Sequence, residues 1–189
     1  YNPAAAQNVG VKKASGSIIV LTSPEVINSK TNVEIINKRF LDDKSKFLLG
    51  WIDEIELSSL PCLENGIDSH TLKNIKKIPG FCKSTCLPGS WQPQNYFIGC
   101  LFKKDFMNIG GMSEIYMRSI DYEDHDFVNR CKINGFPSQL DTDIVGIHIS
   151  HSKKYVIYGD NRNIWEQFKP KIANTDFEWG KDDYITNII

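Results

Sequence analysis

Apolar runs of strand length alternate along this chain with segments of helical period, and that alternation most restricts what it can fold into. Residues 17–22, with Ile18-Ile19-Val20-Leu21 inside, form a continuous apolar run of the kind a strand buried on both faces shows. Residues 32–41 carry Val33, Ile36 and Phe40 on one helical face. Residues 47–57, through Leu48, Leu49, Trp51 and Ile52, read as a strand, as do 96–102 and 144–148. Helices are expected over 103–109 and 123–134. The chain also opens on a helix. Asn2 is a good N-cap, Pro3 suits the first helical position, Ala4, Ala5 and Ala6 favour helix, and Gly16 stops it. Alternating strands and helices predict an α/β fold with a mainly parallel central sheet flanked by helices. Ligands of such sheets sit at the carboxyl ends of strands. Glu25 follows one strand end, and His148 and His151 follow another.

Most of the remaining chain is less regular. Residues 58–94 are rich in Pro, Gly, Ser and Lys, too long for a plain connection, and predict a functional loop or lid with short elements of its own. Residues from 161 carry Ile164, Trp165, Phe168 and Ile172 at helical spacing. The expected organisation is a catalytic domain over 1–160 and a C-terminal helical tail, 161–189, packed on it.

Length and charge exclude several classes. The 189 residues suffice for one domain with a real core. The formal net charge of −1 offers no electrostatic footprint for nucleic acid. No apolar run reaches the roughly 18 residues a membrane span needs. The five cysteines, Cys62, Cys82, Cys86, Cys100 and Cys131, are odd in number, which argues against a closed disulfide framework. Reduced thiols and a cytoplasmic, or membrane-peripheral, location are the expectation.

The densest chemistry lies at Tyr122-Glu123-Asp124-His125-Asp126, just after an Ile109-Gly110-Gly111-Met112-Ser113-Glu114 turn. The acids fall on the first turn of the expected helix, where the macrodipole favours anions. A helix start holds a carboxylate rigidly and keeps it ionised, as a general base for a hydroxyl must be. Gly110 and Gly111 allow close approach of backbone to a ligand. Trp91 is a candidate apolar platform for a pyranose face.

Together these stretches resemble the second half of family 2 glycosyltransferases, inverting nucleotide-sugar enzymes of the GT-A fold. The resemblance runs from about Asn2 to His151. It rests on Asn8-Val9-Gly10, Ala14-Ser15-Gly16 and Ile18-Ile19-Val20-Leu21 at the start, and on Gly99 to Phe106, Gly110-Gly111, Glu114 and Glu123-Asp124 later. The spacing from Gly-Gly-x-x-Glu to Glu-Asp is its strongest part. It implies a partial GT-A catalytic domain lacking the first βαβ unit, which in the family precedes the position of Tyr1 and supplies most of the base pocket.

The resemblance also implies roles. Asp124 would be the catalytic base, and Glu123 would orient or bind the acceptor. Asn8 would face the nucleotide, Gly99 would lie against the donor sugar, and Glu114 would accept hydrogen bonds from sugar hydroxyls. Helix geometry, separately, predicts that His125 and Asp126 are outward or structural. The family commonly holds a divalent cation (Mn2+ or Mg2+) with an Asp-x-Asp motif. Here the corresponding place is Ser23-Pro24-Glu25, where a single carboxylate remains. Glu25, with His148 or His151, would be the metal ligands. The implied function is sugar transfer from a nucleoside diphosphate sugar to an acceptor hydroxyl of a carbohydrate or glycoconjugate, in carbohydrate biosynthesis. Two alternatives stand beside it. One is a catalytically silent carbohydrate-binding relic, motivated by Ser23. The other is a zinc-stabilised interaction module built on Cys82, Cys86 and a histidine.

Overall fold

The first helix, α1 (Pro3–Lys13), begins where the N-terminal proline pattern predicts and turns Ala4, Ala5, Val9 and Val11 inward. It appears in a computed structural model that describes residues 3–63, 67, 69–78, 80–84, 98–116, 122–151, 161–168 and 170–181. Within these the strands are β1 (Ile18–Thr22), β2 (Val26–Asn28), β3 (Phe47–Glu56), β4 (Phe81–Ser84), β5 (Ile98–Phe102) and β6 (Ser138–Ser150). The remaining helices are α2 (Asn32–Arg39), α3 (Ser69–Asn74), α4 (Lys103–Asn108), α5 (Glu123–Ile133) and α6 (Asn161–Gln167).

The α/β class holds, but the expected mainly parallel sheet does not. The strands lie in the order β1-β5-β3-β6-β2, with β4 also on β3, and only β3 and β6 pair in parallel. The β1–β5, β3–β5, β3–β4 and β2–β6 pairs are antiparallel. Alternation of elements fixes that strands and helices take turns; it does not say which strand inserts between which. Here β5 inserts between β1 and β3 and reverses the direction of the neighbour to each. One consequence survives from the parallel expectation. Because β1 and β3 are both antiparallel to β5, and β6 is parallel to β3, these three strands share a direction and end on the same side.

Side chains alternate between two faces along β3, as the pleat requires. Phe47 and Leu49 join Ile19, Leu21 and Leu101 beneath α1, α4 and α5, with Phe106 and Phe127 closing the cluster. Leu48 and Ile52 join Ile98, Cys100 and Phe102 beneath Ile36 and Phe40 of the α2 side. Further along, Ile55 and Ile147 are covered by Leu63, Ile67 and Ile75. The segment after β3 therefore folds into short elements over the sheet, as its composition predicts: 3-10 turns at Leu57–Leu63 and Ile75–Lys77, α3, and β4.

Three local expectations change. β1 is an edge strand with Val20 exposed, so its apolar run is not buried on both faces. β6 begins well before Ile144, because its polar first half pairs with β3 through backbone alone. Its register shifts where Trp51 pairs with Val145, and the Asn32 amide fills the gap, donating to Val145 O (2.8 Å) and accepting from Val145 N (3.0 Å). Finally, the tail is helical only through α6. Pro170 cannot continue a helix, and Phe168 and Ile172 are exposed rather than on a buried helical face. Among the described residues, no helix is long and apolar enough to cross a membrane.

Candidate metal and base site

At the shared end of β1, β3 and β6, the backbone brings the turn after β1 against the last residues of β6. Val26 N donates to Ser23 O (3.1 Å), closing a tight turn of the kind Ser and Pro favour. Ile149 N donates to Glu25 O (3.0 Å), and Val26 pairs with His148 across the β2–β6 ladder. Glu25 is thereby fixed beside His148 and His151, far from them in sequence. Ligand atoms of all three lie within 4.8 Å of one another. His151 Nε2 stands 3.9 Å from Glu25 Oε1, and the two imidazole rings are 5.5 Å apart. His148 is buried, whereas the Glu25 and His151 side chains are open to solvent. One carboxylate and two imidazoles fit a first-row divalent cation such as Mn2+ or Zn2+. They suit Mg2+ poorly, which prefers an octahedron of oxygens.

The helix that carries the candidate base starts in an uncommon backbone conformation. Tyr122 has φ of 72° in the left-handed region, where a non-glycine side chain is disfavoured. The acids of the following turn divide by burial. Glu123 and Asp126 are buried, and Asp124 is half-buried. Asp126 is held by Arg130, which is fully buried, at 2.7 Å. Burial pushes the Asp126 carboxyl above its ordinary value, against the opposing pull of Arg130. Asp126 is thus structural, as the helix geometry predicts. Tyr122, His125 and Trp165 of α6 surround this helix start, with ring centroids 5.2–6.2 Å apart. No signal in the sequence marked Trp165 as a neighbour of Tyr122 and His125, since its helical spacing pointed only to a packing face.

The other residues implied by the resemblance come together elsewhere, in a buried polar knot around the Gly110-Gly111 turn. Asn8 Nδ2 donates to Met112 O (2.9 Å) and Glu114 Oε1 (2.8 Å), and Asn8 Oδ1 accepts from Met112 N (2.8 Å). Gly180 N donates to Glu114 Oε1 (2.8 Å). Asn174 Nδ2 donates to Gly110 O and Met112 O, and Arg130 Nη1 to Ile109 O and Gly111 O. Asn8 and Glu114 are both fully buried. Both glycines have positive φ, and a Cβ at Gly110 would overlap the Ala173 backbone, while one at Gly111 would meet Asn8 Oδ1 and the Trp179 ring. The close approach that these glycines permit is therefore made by the chain's own tail and by Asn8. Gly99 is buried between β1 and β3. Trp91 lies outside the described residues.

The two buried thiols carry little chemistry. Burial pushes Cys100 and Cys131 up to about 12, which keeps both protonated and unreactive. Cys82 is exposed, and Cys86 lies outside the described residues. Comparison with family models and with curated proteins finds no match for this chain.

Proposed function

We propose that this chain is a glycosyltransferase domain of the GT-A type, transferring a sugar from a nucleoside diphosphate sugar to an acceptor hydroxyl with inversion. The observation that carries this reading is the convergence of Glu25, His148 and His151 at the end of three co-directional strands. The sequence pointed to Glu25 with one of these two histidines. In this reading Asp124, on the first turn of α5 and half open to solvent, takes the proton from the acceptor hydroxyl as it attacks the anomeric carbon. Glu123, buried on the same turn, would orient the acceptor. Glu25, His148 and His151 hold the divalent cation. When bound, the cation neutralises charge on the departing diphosphate. Manganese is expected over magnesium, from the nitrogen donors.

The test is transfer from a panel of nucleoside diphosphate sugars by the natural full-length protein, with and without Mn2+. Asp124→Asn keeps the shape of the side chain but cannot take a proton. It should lower the rate by about 10²–10⁴-fold and leave binding of the nucleotide sugar intact. Full activity in Asp124→Asn would remove it as the base.

A second reading, a carbohydrate-binding domain without transfer activity, is favoured by Ser23 at the place of the first metal acid and by the internal engagement of Glu114. Nucleotide-sugar binding without turnover by the unaltered protein would select it.

A further inference from the structure

Glu54 lies beside the proposed metal ligands and has no role in the resemblance. In the parallel β3–β6 ladder it is in direct register with His148, so both side chains leave the sheet on the same face. Glu54 Oε2 is 3.7 Å from His148 Nδ1, with the two side chains 15% and 7% exposed. Glu54 is not among the groups whose ligand atoms come together with Glu25 and His151. A carboxylate thus stands at one ring nitrogen of a buried histidine whose ring also neighbours a carboxylate and a second histidine.

We propose that Glu54 is a positioning residue for metal binding: it holds the proton of His148 on Nδ1 and so presents Nε2 to the cation. This rests on the metal reading above. A neutral imidazole has one protonated nitrogen and one nitrogen free to ligate, and the partner of the first decides which is which. Histidine in water carries its proton mainly on Nε2, the wrong arrangement for ligation through that atom. The separation of 3.7 Å is within ion-pair reach and longer than a hydrogen bond, so the proposed arrangement needs the two groups to close on one another. Carboxylates that orient ligating histidines in this way raise their basicity and fix the ring. His151 is exposed and follows the end of β6, so it lacks the cross-strand neighbour that His148 has. The two histidines are then unequal ligands, His148 pre-set and His151 adaptable.

The experiment is long-range nitrogen–proton NMR on the full-length protein without metal, at a pH where histidine is neutral. His148 signals are assigned by their loss in His148→Gln. The expected result is an Nδ1–H tautomer in the unaltered protein, kept in Glu54→Gln, which retains an acceptor oxygen, and lost in Glu54→Ala. Manganese titration should then show Glu54→Ala binding about 10–100-fold more weakly, with Glu54→Gln in between. An Nε2–H tautomer in the unaltered protein overturns the proposal, and this measurement decides even where Glu54→Ala does not fold. Equal manganese affinity in Glu54→Ala removes the role of Glu54 and leaves the metal reading standing. Absence of manganese binding by the unaltered protein removes both. A changed cobalt(II) absorption spectrum in Glu54→Gln would make Glu54 a direct ligand and overturn the positioning role.

Discussion

The Gly110-Gly111 turn and the shared end of β1, β3 and β6 are both rich in polar side chains, and they dispose of them in opposite ways. At the turn, Asn8, Arg130 and Asn174 give their donors to main-chain carbonyls, and Glu114 accepts from Asn8 and Gly180. Asn8, Arg130 and Glu114 are buried and Asn174 is half-buried, and their hydrogen bonds are made within the protein, with Glu114 Oε2 alone of the carboxylate pair left without one among the described residues. At the sheet end, Glu25 and His151 stay exposed and stand 3.9 Å apart, too far for a hydrogen bond and close enough to share an ion. Buried polar groups that have internal partners specify a fold; polar groups held near one another by backbone but left open to solvent are available to a ligand. The same residue types, a glutamate in each case, therefore do different work according to what surrounds them.

The sharpest way to break this contrast is at the turn. Arg130→Ala leaves the Asp126 carboxylate buried without its partner and takes donors from Ile109 O and Gly111 O. It should cost about 3–5 kcal/mol of stability, read as a fall in the urea midpoint. A loss below 1 kcal/mol would mean that the knot is ornamental to the fold.

Glu25→Ala probes the other region. Without metal it should change stability by no more than about 0.5 kcal/mol, as exposed substitutions do. With Mn2+ at a hundredfold excess over the dissociation constant, the unaltered protein should gain about 2.7 kcal/mol, seen as a rise in melting temperature, and the variant should gain none. An unchanged manganese response would take Glu25 out of the site.

The smallest effect is expected where charges are paired yet wet. Arg39 contacts Asp141 at 2.6 Å and Asp143 at 2.5 Å on the surface of the β6 irregularity. Burial pulls the Asp141 carboxyl up, but hydrogen bonds from Arg39 and from the Asp143 backbone outweigh it, and it sits below its ordinary value of 3.8. A depressed acid contributes stability that is fully present above its unfolded value and is lost as pH falls through the folded one. Arg39→Ala should therefore show its whole effect at pH 7, small as for other exposed pairs, and the difference from the unaltered protein should vanish as pH falls from about 4 into the more acid range. A midpoint shift at pH 7 as large as that of Arg130→Ala would erase the distinction between occupied-and-buried and occupied-and-exposed charge.

Several features were legible without coordinates. Pro3, the run Ile18-Ile19-Val20-Leu21, the spacing of Ile36 and Phe40, and the acids of 123–126 placed α1, β1, α2 and α5 closely, because start signals and periodicity are local properties of the chain, although Val33, expected on the same face as Ile36, is exposed. Glu25 was expected near His148 or His151 from the strand ends they were read to follow, with their ligand role implied by the resemblance; the structure brings both histidines to Glu25, with His148 still inside β6. The tail misled. Its helical spacing continues past Pro170, but the proline ring ends the helix, and the freed segment instead straps the Gly110-Gly111 turn through Ala173, Asn174 and Gly180.

By itself, then, the sequence determined the α/β class and the position of most elements, and pointed to Glu25 and one of two histidines as neighbours. Strand order, strand direction and the partners of polar side chains were decided only by the tertiary structure. Which strand inserts between two others depends on contacts between residues far apart in the chain, and no local period encodes them. Burial acts the same way: Glu114 and Glu25 are indistinguishable as letters. One is enclosed by α1 and the tail, and the other is held at the open end of the sheet. Only that difference in surroundings decides which carboxylate is spoken for by the fold and which can meet a cation.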